Sequence, residues 1–323
     1  MIFVMMADYA FAPWVSLALE ALTRSNPSKR VLIYDLSDLP SPRLADAVRQ
    51  HAVAELIPWP PSCWSTPGWT HAAGFEFFWP HWALKDELKR IGRVVRWKLF
   101  GQRKDSWILD KTESLQRQRR FVTIVCQKPA VIWDALQRSG QDIAFVDADA
   151  IILGRFDEMP VPNVNCAFTV LNEADLRVGV DTRCAYPEIT PYSAINTGVM
   201  FFRRDLAREF IEEWQREIER VPHMYAEQTA LACLLWRADH SIYRHASLSA
   251  ATQWFLNLPS GHSIAFALLP CAIYNLYRLS ANQVVAEDVK IIHFVGSWKQ
   301  TNKWGTVKKI CARLFARTGG APQ

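Results

Sequence analysis

Residues 142–153 read DIAFVDADAIIL, and this stretch decides how the chain folds. Its apolar first part predicts a buried strand, and Asp147 and Asp149 follow the strand on either side of Ala148. Residues two apart in an extended segment point to the same face, so we expect the two carboxylates to converge. Open α/β sheets bind ligands at the carboxyl ends of their parallel strands, which is where this pair would lie.

The pair of aspartates has two interpretations. Hard carboxylate oxygens bind Mg²⁺ or Mn²⁺, and such an ion bridges the oxygens of a diphosphate. The same D-x-D spacing also occurs in ordinary turns and on solvated surfaces. The apolar residues before Asp147 argue against a solvated surface, because unpaired carboxylates are costly to bury there.

Upstream of this stretch, strand patterns alternate with helix patterns. Buried strands are predicted at 2–7 and 30–36, a short third strand at 53–59, and helices at 13–23, 44–52 and 128–139. Pro129 suits the start of the last helix, and Gly140 suits the position just past its end. This alternation predicts an α/β fold with a mixed, mostly parallel sheet flanked by helices on both faces.

Downstream, the pattern continues with shorter elements. Strands are predicted at 166–172, 197–203 and 289–295, and helices at 205–221 and 227–237. Residues 58–120 interrupt the order as an insertion that is first rich in Pro and Trp and then basic. With no internal repeat and no long linker, we expect one domain over 1–298 and a basic tail over 299–323.

Composition narrows the class of protein. The net charge is only +5, but basic residues are concentrated in 85–120 and after Lys299, which suggests phosphates of a donor, of anionic lipid or, less favourably, of nucleic acid. Seven scattered cysteines without C-x-x-C spacing indicate neither a zinc knuckle nor a redox motif. The N-terminus lacks a basic segment and Asp8 interrupts its apolar run, so we expect a cytoplasmic protein without an export signal.

A second motif follows the predicted strand that ends the domain. His293 at a strand end is a candidate third metal ligand, Gly296 allows close approach of a phosphate, and Lys299 would neutralise a leaving diphosphate. The alternative is a core histidine followed by a turn and a surface lysine, and this motif alone favours that alternative.

Two polar motifs open a strand and a helix in the second half of the chain. Asn196, with Thr197 and Gly198, opens an apolar strand and is placed to hydrogen-bond sugar hydroxyls, or it is an ordinary turn. Glu227 and Gln228 open a helix, where they would meet an anion or a sugar, or where Glu227 merely favours the helix dipole.

Two further candidates lie near the predicted sheet edge. Asp8 and Tyr9 follow the first strand and would hydrogen-bond and stack on a nucleobase. Lys128 precedes the helix that leads to the aspartates and would reach a donor, although surface lysines are common.

In their order, these segments resemble the GT-A glycosyltransferases, particularly family 8 and its relatives among the nucleotide-diphospho-sugar transferases. The matching pieces are MMADYAFAPWVSLALEAL (5–22), KPAVIWDALQRSGQDIAFVDADAIIL (128–153), INTGVMFFRRD (195–205), AEQTALACLLW (226–236) and HFVGSWK (293–299). Two departures concern the acceptor side: Glu227 stands where the family commonly has Asp, and Trp304 is displaced from the run after Lys299.

The resemblance implies a GT-A fold and a role for each matched residue. The implied roles are metal ligands for Mn²⁺ or Mg²⁺ (Asp147, Asp149, His293), base contacts (Asp8, Tyr9), donor contacts (Lys128, Ala148, Thr197, Gly198), a sugar contact (Asn196), a polar residue beside the anomeric carbon (Gln228) and phosphate contacts (Gly296, Lys299). Asn196, Glu227 and Gln228 are the catalytic candidates. It also implies a UDP-sugar donor and retention of anomeric configuration, with which the lack of an obvious catalytic nucleophile is compatible.

Three alternatives remain at this point. A nucleotidyltransferase of related fold usually carries a Gly-rich basic loop after its first strand, whereas this chain has ADYAFAP. A non-catalytic module that binds sugar or nucleotide would keep the fold without turnover. A nucleic-acid-binding protein would explain residues 85–120, but no recognition motif accompanies them, so we expect no nucleic-acid partner.

The acceptor side rests on composition. The Trp-rich insertion predicts a platform for a saccharide acceptor or, equally, a lid or small core. Residues 304–319 predict a short basic amphipathic helix, suited to an anionic membrane surface and a glycolipid acceptor or simply a solvated terminal helix.

Overall fold

The computed structural model describes residues 1–71, 111–170, 195–222, 225–239, 250–276, 285–294 and 304–318. Most of the predicted insertion, and the candidates Gly296 and Lys299, therefore lie outside the described residues.

The described elements alternate as expected in the N-terminal half. The strands are β1 (Ile2–Ala7), β2 (Val31–Asp35), β3 (Ala54–Pro58), β4 (Ile143–Val146), β5 (Ala150–Ile152), β6 (Cys166–Val170), β7 (Ile195–Phe202), β8 (Thr252–Asn257), β9 (Ser263–Pro270) and β10 (Ile291–His293). The helices are α1 (Ala12–Ser25), α2 (Pro42–Arg49), α3 (Lys111–Val125), α4 (Lys128–Ser139), α5 (Arg208–Arg220), α6 (Ala226–Ala238), the single turn α7 (Cys271–Tyr274) and α8 (Trp304–Thr318). The hairpin of β8 and β9 was not predicted.

Eight strands form the central sheet in the order β3-β2-β1-β4-β7-β6-β9-β8. Four of its pairs are parallel, β2–β3, β1–β2, β1–β4 and β6–β9, and three are antiparallel, β4–β7, β6–β7 and β8–β9. A separate two-stranded sheet pairs β10 with β5 in antiparallel sense. The predicted mixed, mostly parallel sheet is therefore confirmed.

Side chains that alternate along β1 divide the core in two. Ile2, Val4 and Met6 pack in a cluster with α4, α5 and α6, whereas Phe3 and Met5 pack in a second cluster with α1, α2, α8 and the small sheet. Successive side chains of a strand point to opposite faces, so each face of the sheet carries its own layer of helices. Helices on both faces were predicted and are confirmed.

Helix α8 is amphipathic as predicted, but its apolar side faces the protein. Val307, Ile310 and Leu314 are buried, and the guanidinium of Arg24 on α1 lies 5.0 Å from the ring centroid of Phe315. Only the basic side is exposed, so the apolar half of the predicted membrane surface is not available. Among the described helices, none combines the length and apolar character needed to cross a membrane.

The first residues of the insertion, up to His71, pack against the main core. The indole of Trp69 donates to the carbonyl of Ile218 at 3.0 Å, and the buried amide of Gln127 bonds the backbone N–H and C=O of Ser65 at 3.0 and 2.8 Å. Trp59 and Trp64 pack against the main core beside them. These three tryptophans therefore pack at the edge of the main core rather than in a separate small core, while those at 79, 82, 97 and 107 lie outside the described residues.

Candidate functional site

The two aspartates leave β4 through a turn rather than along an extended strand. The backbone N–H of Ala150 donates to the carbonyl of Asp147 at 2.9 Å, and β5 begins at once. The predicted extended geometry is therefore wrong, because β5 departs to pair with β10 instead of prolonging β4. The carboxylates converge nevertheless, since the turn brings both toward the carboxyl edge of the sheet.

His293 completes a cluster with these carboxylates. It ends β10 and lies opposite Ala150 in the antiparallel pair, which brings its ring beside Asp149. Its Nε2 is 3.2 Å from Oδ1 of Asp149 and 3.7 Å from Oδ2 of Asp147. One ligand atom from each residue lies within 4.8 Å of the others, and both His293 and Asp149 are buried. Their arrangement is that of a candidate site for one divalent cation.

Lys128 lies buried beneath this cluster at the start of α4. Its ammonium is 3.1 Å from Oδ1 of Asp147 and 3.4 Å from Oε1 of Glu227, and it donates to the carbonyl and hydroxyl oxygens of Thr197, both at 3.2 Å. The surface-lysine alternative is therefore wrong. Lys128 ties the starts of α4 and α6 to the aspartate turn.

Burial and neighbouring charges shift the pKa values of Lys128 and Glu227. Burial lowers the pKa of Lys128, but the negative charges of Asp147 and Glu227 outweigh it, so the net pKa is raised. Burial raises the pKa of Glu227, although Lys128 lowers it in part. Lys128 therefore stays positively charged. Glu227 holds a proton more readily than an exposed glutamate does.

A bulge in β7 aims the residues predicted around Asn196 at this group. Phe168 of β6 pairs with Met200, but the next residue, Thr169, pairs with Asn196, so three residues of β7 bulge out of register. Bulges re-aim side chains beside functional sites. Here the bulge turns Thr197 toward Lys128, and its hydroxyl donates to Oε1 of Glu227 at 3.0 Å.

Gly198 makes room, but it makes room for His293 instead of a sugar. A Cβ at this position would lie 2.1 Å from Cε1 of His293 and 2.6 Å from its Nδ1. The N–H of Gly198 donates to Oδ1 of Asn196 at 2.8 Å, so that oxygen is occupied and only the Nδ2 group of Asn196 is left to face a ligand.

Glu227 and Gln228 lie in the first turn of α6, as predicted. Gln228 accepts the N–H of Thr197 through Oε1 at 3.2 Å, which leaves its Nε2 as the group that can donate to a ligand. Oε2 of Glu227 is buried and has no hydrogen-bond partner among the described residues. Glu227 thus holds Lys128 and Thr197 in place, which is more than an interaction with the helix dipole.

Asp8 and Tyr9 follow β1, which is the parallel neighbour of β4, so they lie along the same sheet edge. Oδ1 of Asp8 accepts the N–H of Ala10 at 2.9 Å, and the guanidinium of Arg120 lies 3.9 Å from its Oδ2. The ring of Tyr9 is 58% exposed, which leaves it available for stacking. Arg120 was not predicted, because its basic segment offered no means to single out one residue.

Asn275 is the other residue that the sequence did not reveal. It is fully buried after α7, its Oδ1 lies 3.0 Å from Nδ1 of His293, and its Nδ2 donates to Thr169 and Asn196 at 2.8 and 2.9 Å. A single asparagine between apolar residues carries no motif, so no signal in the sequence could have found it.

No protein-family model and no curated sequence matches this chain. Among solved structures, it is similar to the galactosyltransferase LgtC in complex with donor and acceptor sugar analogues, with 11% identity, 100% of this chain and 98% of that chain covered, and a TM-score of 0.49. The bifunctional glycosyltransferase WbbM shares 12% identity over 100% of this chain and 50% of its own, with a TM-score of 0.49. Mouse xyloside xylosyltransferase 1 shares 10% identity over 91% of this chain and 97% of its own, with a TM-score of 0.42.

These neighbours are glycosyltransferases, the class that the sequence motifs resemble, and they do not separate family 8 from its relatives. Because the identities and TM-scores are this low, the side chains of the site carry the functional conclusion.

Proposed function

We propose that this protein is a metal-dependent glycosyltransferase that moves a sugar from a nucleotide diphosphate, UDP, to a saccharide or glycolipid acceptor. The observation that carries the proposal is the convergence of Asp147, Asp149 and His293 at the carboxyl edge of the sheet. Ligand atoms from a turn and from a distant strand meet within 4.8 Å at the edge where α/β sheets bind substrates.

The three proposed ligand residues suit Mn²⁺ or Mg²⁺. Asp147, Asp149 and His293 would hold the ion with two carboxylates and one imidazole, which are hard and borderline ligands. When bound, the ion neutralises charge that develops on the departing diphosphate. Gly296 and Lys299, which lie outside the described residues, are proposed to contact the same phosphates from the segment after β10.

Other side chains of the protein are proposed to bind the base and the sugar of the donor. Tyr9 is proposed to stack on the uracil base, and Asp8 to accept the single N–H of that base. Nδ2 of Asn196 and Nε2 of Gln228 are proposed to donate to the sugar, because their oxygens are already occupied. Lys128 is proposed to hold Asp147 in position for the ion through their 3.1 Å contact.

We further propose that transfer retains the anomeric configuration. Oε1 of Glu227 is held by Thr197 and Lys128, and Gln228 is an amide, so neither residue is assigned as a nucleophile. The acceptor hydroxyl would attack on the face that the phosphate leaves, and the leaving phosphate would take its proton. The anomeric signal of the product in an NMR spectrum tests this directly, and inversion would refute it.

The donor site is tested by titration calorimetry of the full chain with UDP, in the presence and absence of Mn²⁺. We expect binding that requires Mn²⁺ and that Asp149→Asn removes, because Asn keeps the shape of this buried side chain but loses its charge. Asp46→Asn, on the exposed surface of α2, is the matched control and should bind as the parent does.

Each alternative gives a different outcome. Binding of UDP without any release of sugar from a panel of UDP-sugars would favour the non-catalytic module. Binding of a nucleoside triphosphate with release of pyrophosphate would favour the nucleotidyltransferase. Binding of UDP that is the same in Asp149→Asn as in the parent would contradict the proposed metal site.

A further inference from the structure

The strongest observation that the proposed reaction does not use is the placement of Asn275 behind His293. The backbone fixes this placement. Residues 273–276 run beside β10 through three hydrogen bonds, from Lys290 N to Ile273 O at 2.7 Å, from Leu276 N to Ile291 O at 2.9 Å and from His293 N to Leu276 O at 2.8 Å. The amide of Asn275 is therefore held against the ring of His293 by the strand pairing.

The orientation of the Asn275 amide follows from a donor whose identity is certain. The backbone N–H of Gly198 donates to the side chain of Asn196, so the Asn196 atom at that position is its oxygen. The same oxygen faces one end of the Asn275 amide at 2.9 Å, and that end must therefore be the nitrogen. Thr169 agrees, because its hydroxyl donates to the carbonyl of Asn196 and so accepts from Asn275.

With its nitrogen so placed, Asn275 turns its oxygen to Nδ1 of His293 at 3.0 Å. An amide oxygen only accepts, so this contact is a hydrogen bond only when Nδ1 carries the proton. Nε2 faces a second acceptor, Oδ1 of Asp149 at 3.2 Å, and a neutral ring that donates from Nδ1 directs its Nε2 lone pair toward Asp149 and Asp147, where a cation would lie. Gly198 closes the other side of the ring, since a Cβ there would overlap Cε1.

We infer that Asn275 is a positioning residue, which fixes the tautomer and the direction of His293 so that Nε2 is presented to the metal ion. The inference rests on the proposed metal site, and it adds a residue that the matched motifs do not contain. Partners behind a metal-binding histidine set both its tautomer and its orientation, and their removal costs about 10–100-fold in metal affinity.

Three variants of the full chain separate this role from a general contribution to packing. Asn275→Leu removes the acceptor from His293, Asn275→Asp keeps an acceptor at nearly the same place, and Thr169→Val removes a member of the same network that does not contact His293. Mn²⁺ affinity is measured by electron paramagnetic resonance of the free ion. We expect about 10–100-fold weaker binding for Asn275→Leu, near-parent binding for Asn275→Asp and a smaller loss for Thr169→Val.

A second readout does not depend on the metal. Nitrogen NMR of the histidine rings in metal-free protein, at a pH where the rings are neutral, should show His293 protonated at Nδ1, with its signals identified by their loss in His293→Gln. Asn275→Leu should lose this single tautomer, and Asn275→Asp should keep it.

Parent protein with neutral His293 protonated at Nε2 would overturn the inference without any variant, even if Asn275→Leu failed to fold. Equal Mn²⁺ affinity and equal tautomer in Asn275→Leu and parent would overturn it as well. If the parent binds neither Mn²⁺ nor Mg²⁺, the proposed function fails, and the nitrogen spectra still decide the role of Asn275.

Discussion

Two clusters of charged side chains share Asp147, and they differ in how their charge is balanced. On one side the ammonium of Lys128 lies 3.1 Å from Asp147 and 3.4 Å from Glu227, so this cluster contains its own cation. On the other side Asp149 and Asp147 meet the ring of His293, which is neutral unless protonated. With the three carboxylates and the ammonium ionised and His293 neutral, the formal charge is −2 (1 − 3).

The protein balances the charge of one cluster by itself and leaves the other to a cation. The lysine cluster joins three elements through buried contacts within the chain, so it serves the structure of the site whether or not a ligand is present. The cluster of Asp147, Asp149 and His293 has a charge that a divalent cation would balance. Buried carboxylates side by side are costly unless a cation or a proton compensates them, which explains why one cluster is structural and the other is a candidate ligand site.

The largest effect is expected from removing the internal cation. Lys128→Met should lower the free energy of unfolding by about 3–5 kcal/mol, because it leaves two carboxylates near each other without their buried partner. Urea unfolding measures this change, and Lys308→Met, on the exposed side of α8, is the control. Adding Glu227→Gln to Lys128→Met should recover part of the loss. A loss below about 1 kcal/mol would show that the two clusters do not differ in this way.

A smaller effect is expected from crowding the histidine. Gly198→Ala places a methyl group against the ring of His293, which should cost about 1–3 kcal/mol of stability as the ring moves away. Because Nε2 then points away from the aspartates, Mn²⁺ binding should weaken by about 10–100-fold. Gly68→Ala is the matched control, since its Cβ would meet nothing within 4 Å. Unchanged Mn²⁺ affinity in Gly198→Ala would mean that the position of His293 does not matter to the ion.

The smallest effect on the fold is expected from the exposed basic residues of α8. Replacing Lys308, Lys309 and Arg313 by Glu should change stability by no more than about 0.5 kcal/mol per residue and leave Mn²⁺ binding unaltered, in contrast to Lys128. We propose that the same basic side contacts anionic membrane lipid through charge alone. Sedimentation with vesicles that contain anionic lipid tests this proposal, and binding that survives all three replacements would refute it.

Apolar patterns predicted the strands of the N-terminal half of the chain, but they missed β8 and β9 in the C-terminal half. Strands β1, β2 and β4 were predicted because each is a buried, mostly apolar run beside helix signals, and the short strand β3 was predicted although only Ile57 in it is buried. β8 was missed because it alternates partly buried and exposed residues at the sheet edge, and β9 because no resemblance covered its segment. The apolar run at 264–269 was a signal that would have identified β9.

Some features of the site were also predicted from the sequence, and others were not. Asp147 and Asp149 were predicted from their type and from the strand before them, His293 was favoured as a ligand only by the family resemblance, and the three side chains converge. The burial of Lys128 was not foreseen, because lysine is among the residues least often buried and only its two carboxylate partners make burial tolerable. The turn at the aspartates was not foreseen either, since it depends on where β5 finds its partner strand.

The sequence by itself determined the alternation of strands and helices and the chemical identity of the residues at the ends of those strands. Only the tertiary structure decided which of these residues meet. Antiparallel pairing of β10 with β5 brings His293 to Asp149 across 144 positions, and the bulge of β7 against β6 aims Thr197 at Lys128. The physical reason is that apolar periodicity records which face of an element is buried, whereas the register between distant strands depends on hydrogen bonds and packing that form only when the whole sheet assembles.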